Sequence, residues 1–273
     1  MFQTLRKKIE KHRAKRKFRE YGSEVIRFSL PESGEVKFCR WLNPLESEKS
    51  ITQGQVNFYR KFIQEGDLAI DIGAHIGDTT LPMALAAGKT GMVLAFDPNP
   101  YVFRLLQQNA TLNPGKTTII PLNYAVTAHD GDFFYNSSEA SFNNGGIAET
   151  EQNYHGKFGL KEKVRGINLE RYLLTSHPER LSRLKLIKID AEGYDVDIIR
   201  SIYEIIGKYK PYLIFECFRQ LGKEERMQLY DLIAIKGYKL YHISDFDENA
   251  PLKRIARENM TDWPHFDILA RPI

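Results

Sequence analysis

Cysteines and long apolar runs are scarce in this sequence of 273 residues. Its two cysteines, Cys39 and Cys217, stand alone, which argues against a disulfide framework and against a thiolate metal cluster. No stretch approaches the roughly 18 consecutive apolar residues that span a bilayer, and residues 1–20 lack the apolar core of a signal peptide. We therefore expect a protein that stays in a reducing cytoplasm.

A marked excess of charge of one sign occurs only at the N-terminus. Residues 1–20 carry nine Lys or Arg and two Glu, whereas the rest of the chain carries 30 basic and 33 acidic residues. The body therefore offers no general footprint for nucleic acid. Phe2, Leu5 and Ile9 have helical spacing in this basic leader. It is interpreted as a terminal helix docked on the domain or, alternatively, as a peripheral contact with the inner membrane surface.

Hydrophobic residues make up 42% of the chain and charged residues 27%, which are ordinary values for a folded globular protein. Short strands at 25–28 and 36–39 flank a turn and predict a hairpin, and a helix follows at 55–64. Beyond that point, strands and helices alternate. The predicted strands are 68–72, 92–96, 118–122, 186–189, 212–216, 239–242 and 266–270, and the predicted helices are 78–87, 101–112, 196–209 and 224–235.

Such alternation implies right-handed crossovers and a mostly parallel sheet, with ligands bound at the carboxyl ends of its strands. We predict an α/β fold with a mostly parallel seven-stranded sheet, helices on both faces, and a small N-terminal extension of a helix and a β-hairpin. The extension is assigned to residues 1–65 and the main domain to 66–273. Polar residues 136–159 predict a long loop, either a lid or substrate-binding segment or an inert insertion.

One segment joins a strand, a glycine turn and the start of a helix. Asp71 ends an apolar strand, Gly73 and Gly77 follow, and Asp78 and Thr79 suit the first turn of a helix. The helix N-terminus offers amide donors to an anion such as the carboxylate of a methionine moiety, and Asp71 can engage its ammonium directly or through water. The Gly-x-x-x-Gly spacing differs from the dinucleotide fingerprint Gly-x-Gly-x-x-Gly and matches the first motif of class I methyltransferases.

The second strand ends at Asp97, whose carboxylate can accept hydrogen bonds from two ribose hydroxyls. The alternative is that Gly73 and Gly77 only let helix and strand pack and that Asp97 forms a turn. The residues predicted to bind S-adenosylmethionine are Asp71, Gly73, Ala74, His75, Ile76, Gly77, Asp78, Thr79, Asp97, Pro98 and Asn99.

Four blocks of the sequence, 70–80, 95–100, 109–113 and 186–195, resemble the FkbM-type methyltransferases. The last block, Leu186-Ile187-Lys188-Ile189-Asp190-Ala191-Glu192-Gly193-Tyr194-Asp195, is the most specific, and the resemblance covers about residues 66–217. It implies a class I, Rossmann-like fold, S-adenosylmethionine as methyl donor, and O-methylation of hydroxyls on sugars or on polyketide-like secondary metabolites. His75 and Asp97 depart from the family pattern, which more often has Asn and Glu there.

Methyl transfer to a hydroxyl requires that the oxygen be aligned and lose its proton. Asp190 and Glu192, at the end of the fourth strand, are the candidate bases, and Lys188 is grouped with them as a catalytic candidate. With Lys188 or Glu216 these carboxylates could instead hold a divalent cation, which we do not favour because such pairs are common without metal. Alternatively, Asp190 caps the next helix and Glu192 pairs with Lys188 or an arginine.

The predicted function is O-methylation of a sugar hydroxyl in a glycan or glycoconjugate, or alternatively of a small secondary metabolite. The rivals are an NAD-dependent oxidoreductase on a similar fold and a non-catalytic, membrane-associated module that binds an adenosyl ligand. Tyr135, Phe142 and Tyr154 could form an apolar wall for a sugar ring. The sequence does not indicate the oligomeric state.

Overall fold

The computed structural model describes residues 2–150 and 156–273. Tyr154 and the side chains of Phe2 and Leu5 lie outside the described residues. The described helices are α1 Phe2–Arg16, α2 Gln53–Arg60, α3 Thr80–Ala87, α4 Pro100–Thr111, α5 Leu169–Ser176, α6 Asp195–Ser201, α7 Tyr203–Tyr209 and α8 Lys223–Ala234, with 3-10 turns at Pro178–Arg183 and Arg257–Thr261. The described strands are β1 Ser23–Leu30, β2 Gly34–Trp41, β3 Leu68–Ile72, β4 Met92–Phe96, β5 Ile119–Leu122, β6 Ala125–Thr127, β7 Gly131–Ser137, β8 Gly146–Ala148, β9 Phe158–Gly159, β10 Val164–Asn168, β11 Leu184–Ile189, β12 Tyr212–Cys217, β13 Tyr238–Ile243, β14 Leu252–Arg254 and β15 Phe266–Pro272.

The central sheet has the strand order β14-β13-β15-β12-β11-β3-β4-β5. Neighbours from β12 to β5 pair in parallel, whereas β15, β13 and β14 join antiparallel. All seven predicted strands lie in this sheet, but the predicted count of seven is wrong because β14 makes eight. Leu252-Lys253-Arg254 has no apolar alternation, and its pairing with β13 is a tertiary effect.

Helices cover both faces of the central sheet, as predicted. Along β3, Leu68 and Ile70 pack in one cluster with Ile198 of α6, whereas Ala69 packs in another with Met83 of α3. The predicted helix over 196–209 is two helices, α6 and α7, because the backbone leaves helical geometry at the C-cap of α6. That break falls at a buried isoleucine, so the apolar periodicity runs on through it.

The long loop predicted for residues 136–159 is wrong in part, because the chain there contributes strands to a second, smaller sheet. Its order is β6-β10-β7-β8, with β9 also paired to β7. Phe133, Tyr135, Ile147 and Val164 form its buried cluster together with Ala125 and Phe142. These strands are short and pair across distant positions, such as Val164 with Phe133, so local periodicity does not reveal them.

The predicted N-terminal hairpin is confirmed as antiparallel β1 and β2. It is tied to α4 by Asn109, whose Oδ1 accepts from Cys39 N at 2.6 Å while its Nδ2 donates to Cys39 O at 3.0 Å and to Ile76 O at 2.7 Å. One buried amide thus joins the hairpin to the loop after β3. The domain boundary at residue 65 stays a prediction.

The end of α1 is docked on the body of the protein. Ala14 is fully buried, and the carbonyl oxygens of Ala14 and Lys15 accept from Ser141 N and Ala140 N, each at 3.1 Å. The contacts agree with the interpretation of the leader as a terminal helix docked on the domain. Contact of the leader with a membrane stays a prediction. No helix in the described part of the chain is long and apolar enough to cross a membrane.

Candidate active site

A cavity of about 370 Å³ opens at the carboxyl ends of β3, β4 and β11, between the two sheets. Its size suits a small-molecule ligand. Of the candidate site residues, Asp71, Ile76 and Gly77 do not line it. Those that do are Gly73, Ala74, His75, Asp78, Thr79, Asp97, Pro98, Asn99, Lys188, Asp190 and Glu192.

Asp71 lies beneath the loop after β3 and is fully buried. Its Oδ2 accepts hydrogen bonds from Thr79 Oγ1 at 3.0 Å and Thr80 Oγ1 at 2.6 Å, and its Oδ1 lies 3.5 Å from Lys188 Nζ. A buried carboxylate needs such partners to stay ionised. Asp71 thus holds the loop and the start of α3 together. Its carboxylate exposes no surface with which a ligand ammonium could make the predicted contact.

Gly73 is required by a close approach of two strand ends. Its φ is +74°, and a Cβ built there would lie 1.8 Å from the carbonyl oxygen of Asp190. Gly73 N and Ala74 N both donate to Phe96 O, at 2.9 Å and 3.0 Å. The glycine therefore brings the ends of β3, β4 and β11 together.

His75 joins this loop to two other segments of the chain. Its φ is +50°, a left-handed conformation that is uncommon for a non-glycine residue. Its ring Nε2 lies 2.9 Å from Asn143 O and 3.7 Å from Glu46 Oε2. In the tautomer that carries its proton on Nε2, the ring donates to Asn143 O. Lys49 Nζ makes a parallel link, 2.9 Å from Asp78 Oδ2 and 3.1 Å from Glu46 Oε1.

Asp97 is a nearly buried carboxylate at the end of β4. Its Oδ2 accepts from His75 N at 2.8 Å and its Oδ1 from Asn99 N at 2.9 Å. Burial raises its pKa to about 6, although His75 and these amides oppose the shift. Asn99 in turn accepts from Tyr101 N at 3.0 Å and so caps α4. Each Asp97 oxygen keeps lone-pair capacity for a ligand hydroxyl.

Lys188 lies between two carboxylates. It is 2% exposed, and its Nζ is 3.2 Å from Asp190 Oδ2 and 3.5 Å from Asp71 Oδ1. Burial by itself would lower the pKa of Lys188, but Asp190 and Asp71 outweigh it and hold the pKa above its usual value. Lys188 is thus a fixed cation and not a base. Its partners are Asp190 and Asp71, and not Glu192.

Glu192 reaches the cavity from a strained turn, with φ +51°. Partial burial and the neighbouring Asp190 raise its pKa, against the opposing charges of Arg219 and His75. The alternative in which Asp190 caps the next helix is wrong, because no side chain caps α6. The turn is held by Asp195, whose Oδ2 accepts from Ala191 N at 3.4 Å and Gly193 N at 3.3 Å.

Behind this turn, further carboxyl groups accumulate at the ends of β12 and β15. Burial and neighbouring carboxylates, Asp190 first, raise the pKa of Glu216 to about 9. Burial and Asp190 raise the pKa of Asp267 to about 6, although Lys188 opposes the shift. Glu216 Oε1 lies 2.8 Å from His265 Nε2. Among the residues that the structure describes, no three His, Cys, Asp or Glu side chains are grouped to hold a metal ion.

Two further segments also line the cavity. Residues 45–47 and Lys49 reach it from the N-terminal extension, and residues 143–147 reach it from the second sheet. Asn143 presents a buried Oδ1 for which the described part of the chain offers no hydrogen-bond donor. Residues 143–147 belong to the segment 136–159 that was predicted as a lid or substrate-binding segment or as an inert insertion, whereas nothing in the sequence singled out residues 45–49.

The cavity has the hydrogen-bond acceptors and the apolar walls that an adenosyl ligand needs. Phe96, Val126 and Ile198 supply apolar surface for a planar base, Asp97 supplies acceptors for hydroxyls, and the Asn143 Oδ1 is an unmet acceptor. The residues present therefore fit the ligand predicted from the motif.

A family model described as "Methyltransferase FkbM domain" matches residues 71–242, well over half of the chain. The chain belongs to the FkbM methyltransferase family. The match runs from Asp71 at the end of β3 to His242 in β13, so it includes every candidate site residue. The predicted family and its class I, Rossmann-like α/β fold are thereby confirmed.

Two curated proteins are also similar to parts of this chain. The hexuronic acid methyltransferase AglP of Haloferax volcanii is 27% identical over 184 residues, covering 67% of this chain and 66% of AglP. A tRNA (guanine(37)-N(1))-methyltransferase of Batrachochytrium dendrobatidis is 35% identical over 98 residues, which are 36% of this chain and 19% of that protein. Neither match spans the whole chain.

Among solved structures, the FkbM methyltransferase of Methylobacillus flagellatus is 11% identical, with a TM-score of 0.43 over 78% of this chain and 50% of that one. A likeness this distant does not by itself establish a shared fold. The strand order and the family match carry the assignment of fold.

Proposed function

We propose that this FkbM-family protein uses S-adenosylmethionine to methylate a hydroxyl of a sugar in a glycan or glycoconjugate. The observation that supports the proposal is one cavity that is lined by the glycine loop after β3, by Asp97 and by the carboxylates after β11. The first two suit an adenosyl ligand, and the third suits removal of a proton from an acceptor.

The donor half of the proposal rests on the two loops that end β3 and β4. When bound, S-adenosylmethionine supplies a methyl group activated by a sulfonium. Asp97 would accept from its ribose hydroxyls, and the start of α3 would offer amide donors to its carboxylate. Asp71 would support the glycine loop from beneath, because Thr79 and Thr80 hold its carboxylate.

We assign the base of the reaction to Glu192, where the sequence leaves the choice between Asp190 and Glu192 open. A carboxylate whose pKa is raised is a stronger base than the same group at its ordinary pKa. The pKa of Glu192 is raised, whereas Asp190 is paired with Lys188 at 3.2 Å. Asp190 and Lys188 therefore position the turn and set the charge beside the base.

A hydroxyl acceptor fits the charge of this end of the cavity. Asp190 and Glu192 would repel a carboxylate nucleophile and would accept a proton from a neutral hydroxyl. A sugar is favoured because AglP, which is similar over two thirds of this chain, is named a hexuronic acid methyltransferase. A small secondary metabolite remains the alternative acceptor, and a cytoplasmic location stays a prediction.

The donor is tested by calorimetric titration with S-adenosylhomocysteine and, separately, with NAD. We expect tight binding of the first alone, and NAD binding without it would favour the oxidoreductase. Asp97→Asn should weaken S-adenosylhomocysteine binding about tenfold or more, because one of its two amide partners then faces an NH2 group. Asp132→Asn, at an exposed position of β7, is the matched control.

The acceptor is tested by mass spectrometry of glycans and small metabolites from cells with and without the gene. Loss of one CH2 increment from a glycan supports the proposal, and loss from a small metabolite alone supports the alternative. Unchanged spectra for both, with the donor bound, would point to the non-catalytic module.

A further inference from the structure

A second cavity, of about 970 Å³, lies beside the active site and is lined by the end of the leader, the start of α4 and the segment from Lys157 to Arg165. We call it the side groove. Three aromatic rings form its floor. The ring centroids of Phe18 and Tyr101 are 5.3 Å apart, and those of Tyr101 and Phe142 are also 5.3 Å apart with near-parallel planes.

The rim of the side groove is basic. Residues 157–165 hold four Lys or Arg and one Glu, whereas the chain beyond residue 20 has an acidic excess. Lys163 lies 4.3 Å from the ring centroid of Phe134. Lys157, Lys161 and Arg165 are exposed, and none of them forms a salt bridge with a residue in the described ranges. Three cations thus surround an aromatic floor.

The side groove and the active-site cavity share a wall. Pro98 lines both, and Asn99 Nδ2 donates to Phe142 O at 2.8 Å. The chain passes from Phe142, in the side groove, directly to Asn143, in the active-site cavity. The two cavities are therefore adjacent, as binding of neighbouring units of one glycan would require.

We propose that the side groove binds an acidic sugar unit of the acceptor glycan. This unit is a second one, separate from the sugar whose hydroxyl is methylated beside Glu192. This inference rests on the proposed function. Aromatic faces hold the apolar face of a sugar ring, and the cations hold its carboxylate or phosphate. The carboxylates beside Glu192 repel that acid group, so the two ends of the site orient an acidic glycan in one direction.

The test is a titration of the full chain, by calorimetry, with a galacturonate tetrasaccharide, a neutral galactose tetrasaccharide, glucose 1-phosphate and tRNA. The variant replaces Lys157, Lys161 and Arg165 by Gln. Its control replaces Lys185, Lys223 and Lys239 by Gln, which are exposed and lie outside both cavities. Both variants lose the same charge.

We expect the acidic tetrasaccharide to bind more tightly than the neutral one and to weaken about tenfold in the groove variant, with little change in the control. Binding of glucose 1-phosphate with the same loss assigns the charge to phosphate, and binding of the galacturonate alone assigns it to carboxylate. Phe18→Ala should weaken both tetrasaccharides about fivefold, and Phe18→Tyr should restore them.

Equal weakening in the two Gln variants overturns the inference, as does tighter binding of tRNA than of either acid. The donor site is checked in the same samples with S-adenosylhomocysteine. If that ligand binds and the acidic sugars do not, the side groove is wrong and the proposed donor stands. If the sugars bind and S-adenosylhomocysteine does not, the proposed function fails instead.

Discussion

The ammonium of Lys188 lies 3.5 Å from the carboxylate of Asp71, with which it also stands in register across the parallel pair of β11 and β3. The two side chains are almost completely buried. The ion pair joins β3, which leads into the glycine loop, to β11, which ends at the proposed catalytic turn. Both halves of the site therefore depend on one buried ion pair.

Replacing Lys188 by Met should leave the Asp71 carboxylate buried without its counter-ion. We expect a loss of about 3–5 kcal/mol in the free energy of unfolding, measured by urea denaturation. Lys185→Met, at an exposed position of the same strand, should cost under about 0.5 kcal/mol. Adding Asp71→Asn to Lys188→Met should recover part of the loss. Equal stability of the two single variants would show that the pair carries no such energy.

The register between β3 and β11 could not be predicted from the sequence, although the two strands themselves could. β3 and β11 are apolar runs buried along almost their whole length, and such runs identify strands locally. Which residue of β11 faces Asp71 depends on how strands pair across more than a hundred residues. The glycine loop, Asp97 and the carboxylates after β11 were found because each follows its own strand.

The parts that were missed lie where no local pattern exists. Glu46 and Lys49 enter the cavity from a loop of the extension, through contacts with His75 and Asp78. The side groove depends on Phe18 and the segment 157–165 meeting across the fold. Neither arrangement leaves a periodicity in the chain.

Gly73→Ala should be among the most damaging small substitutions in the protein. The new methyl would lie 1.8 Å from Asp190 O, and φ of +74° strains any residue with a Cβ. We expect a loss of about 3 kcal/mol on thermal or urea unfolding, with S-adenosylhomocysteine binding weakened as the loop shifts. Gly115→Ala, where a Cβ meets nothing within 4 Å, is the control. A Gly73→Ala protein as stable as that control would contradict the close approach.

Stability should fall with rising pH because of Glu216. Burial, with Asp190 and the other nearby carboxylates, raises its pKa to about 9, whereas an unfolded chain releases the proton near about 4.3. Its favourable contribution is present below the unfolded pKa and is lost as the pH rises through the folded one. Glu216→Gln should therefore gain stability over the wild type between about pH 5 and about pH 9.

The measurement is urea unfolding of both proteins across that range, with Glu48→Gln, an exposed glutamate, as control. A difference between wild type and Glu216→Gln that stays constant with pH would show that Glu216 is ionised in the folded state. Burial raises the pKa of Asp195 to about 7, so Asp195 also makes the stability fall as the pH rises. It does so equally in the wild type and in Glu48→Gln.

The assignment of the base to Glu192 predicts a pH profile as well as a loss of rate. Glu192→Gln should lower kcat by about 10²–10⁴ while S-adenosylhomocysteine binds as before, because the amide cannot take up a proton. In the wild type, kcat should fall as the pH drops through the raised pKa of Glu192. Asp190→Asn removes one cause of that raised pKa, so its acid limb should move to lower pH. If Glu192→Gln keeps the wild-type rate and limb while Asp190→Asn abolishes both, the base is Asp190.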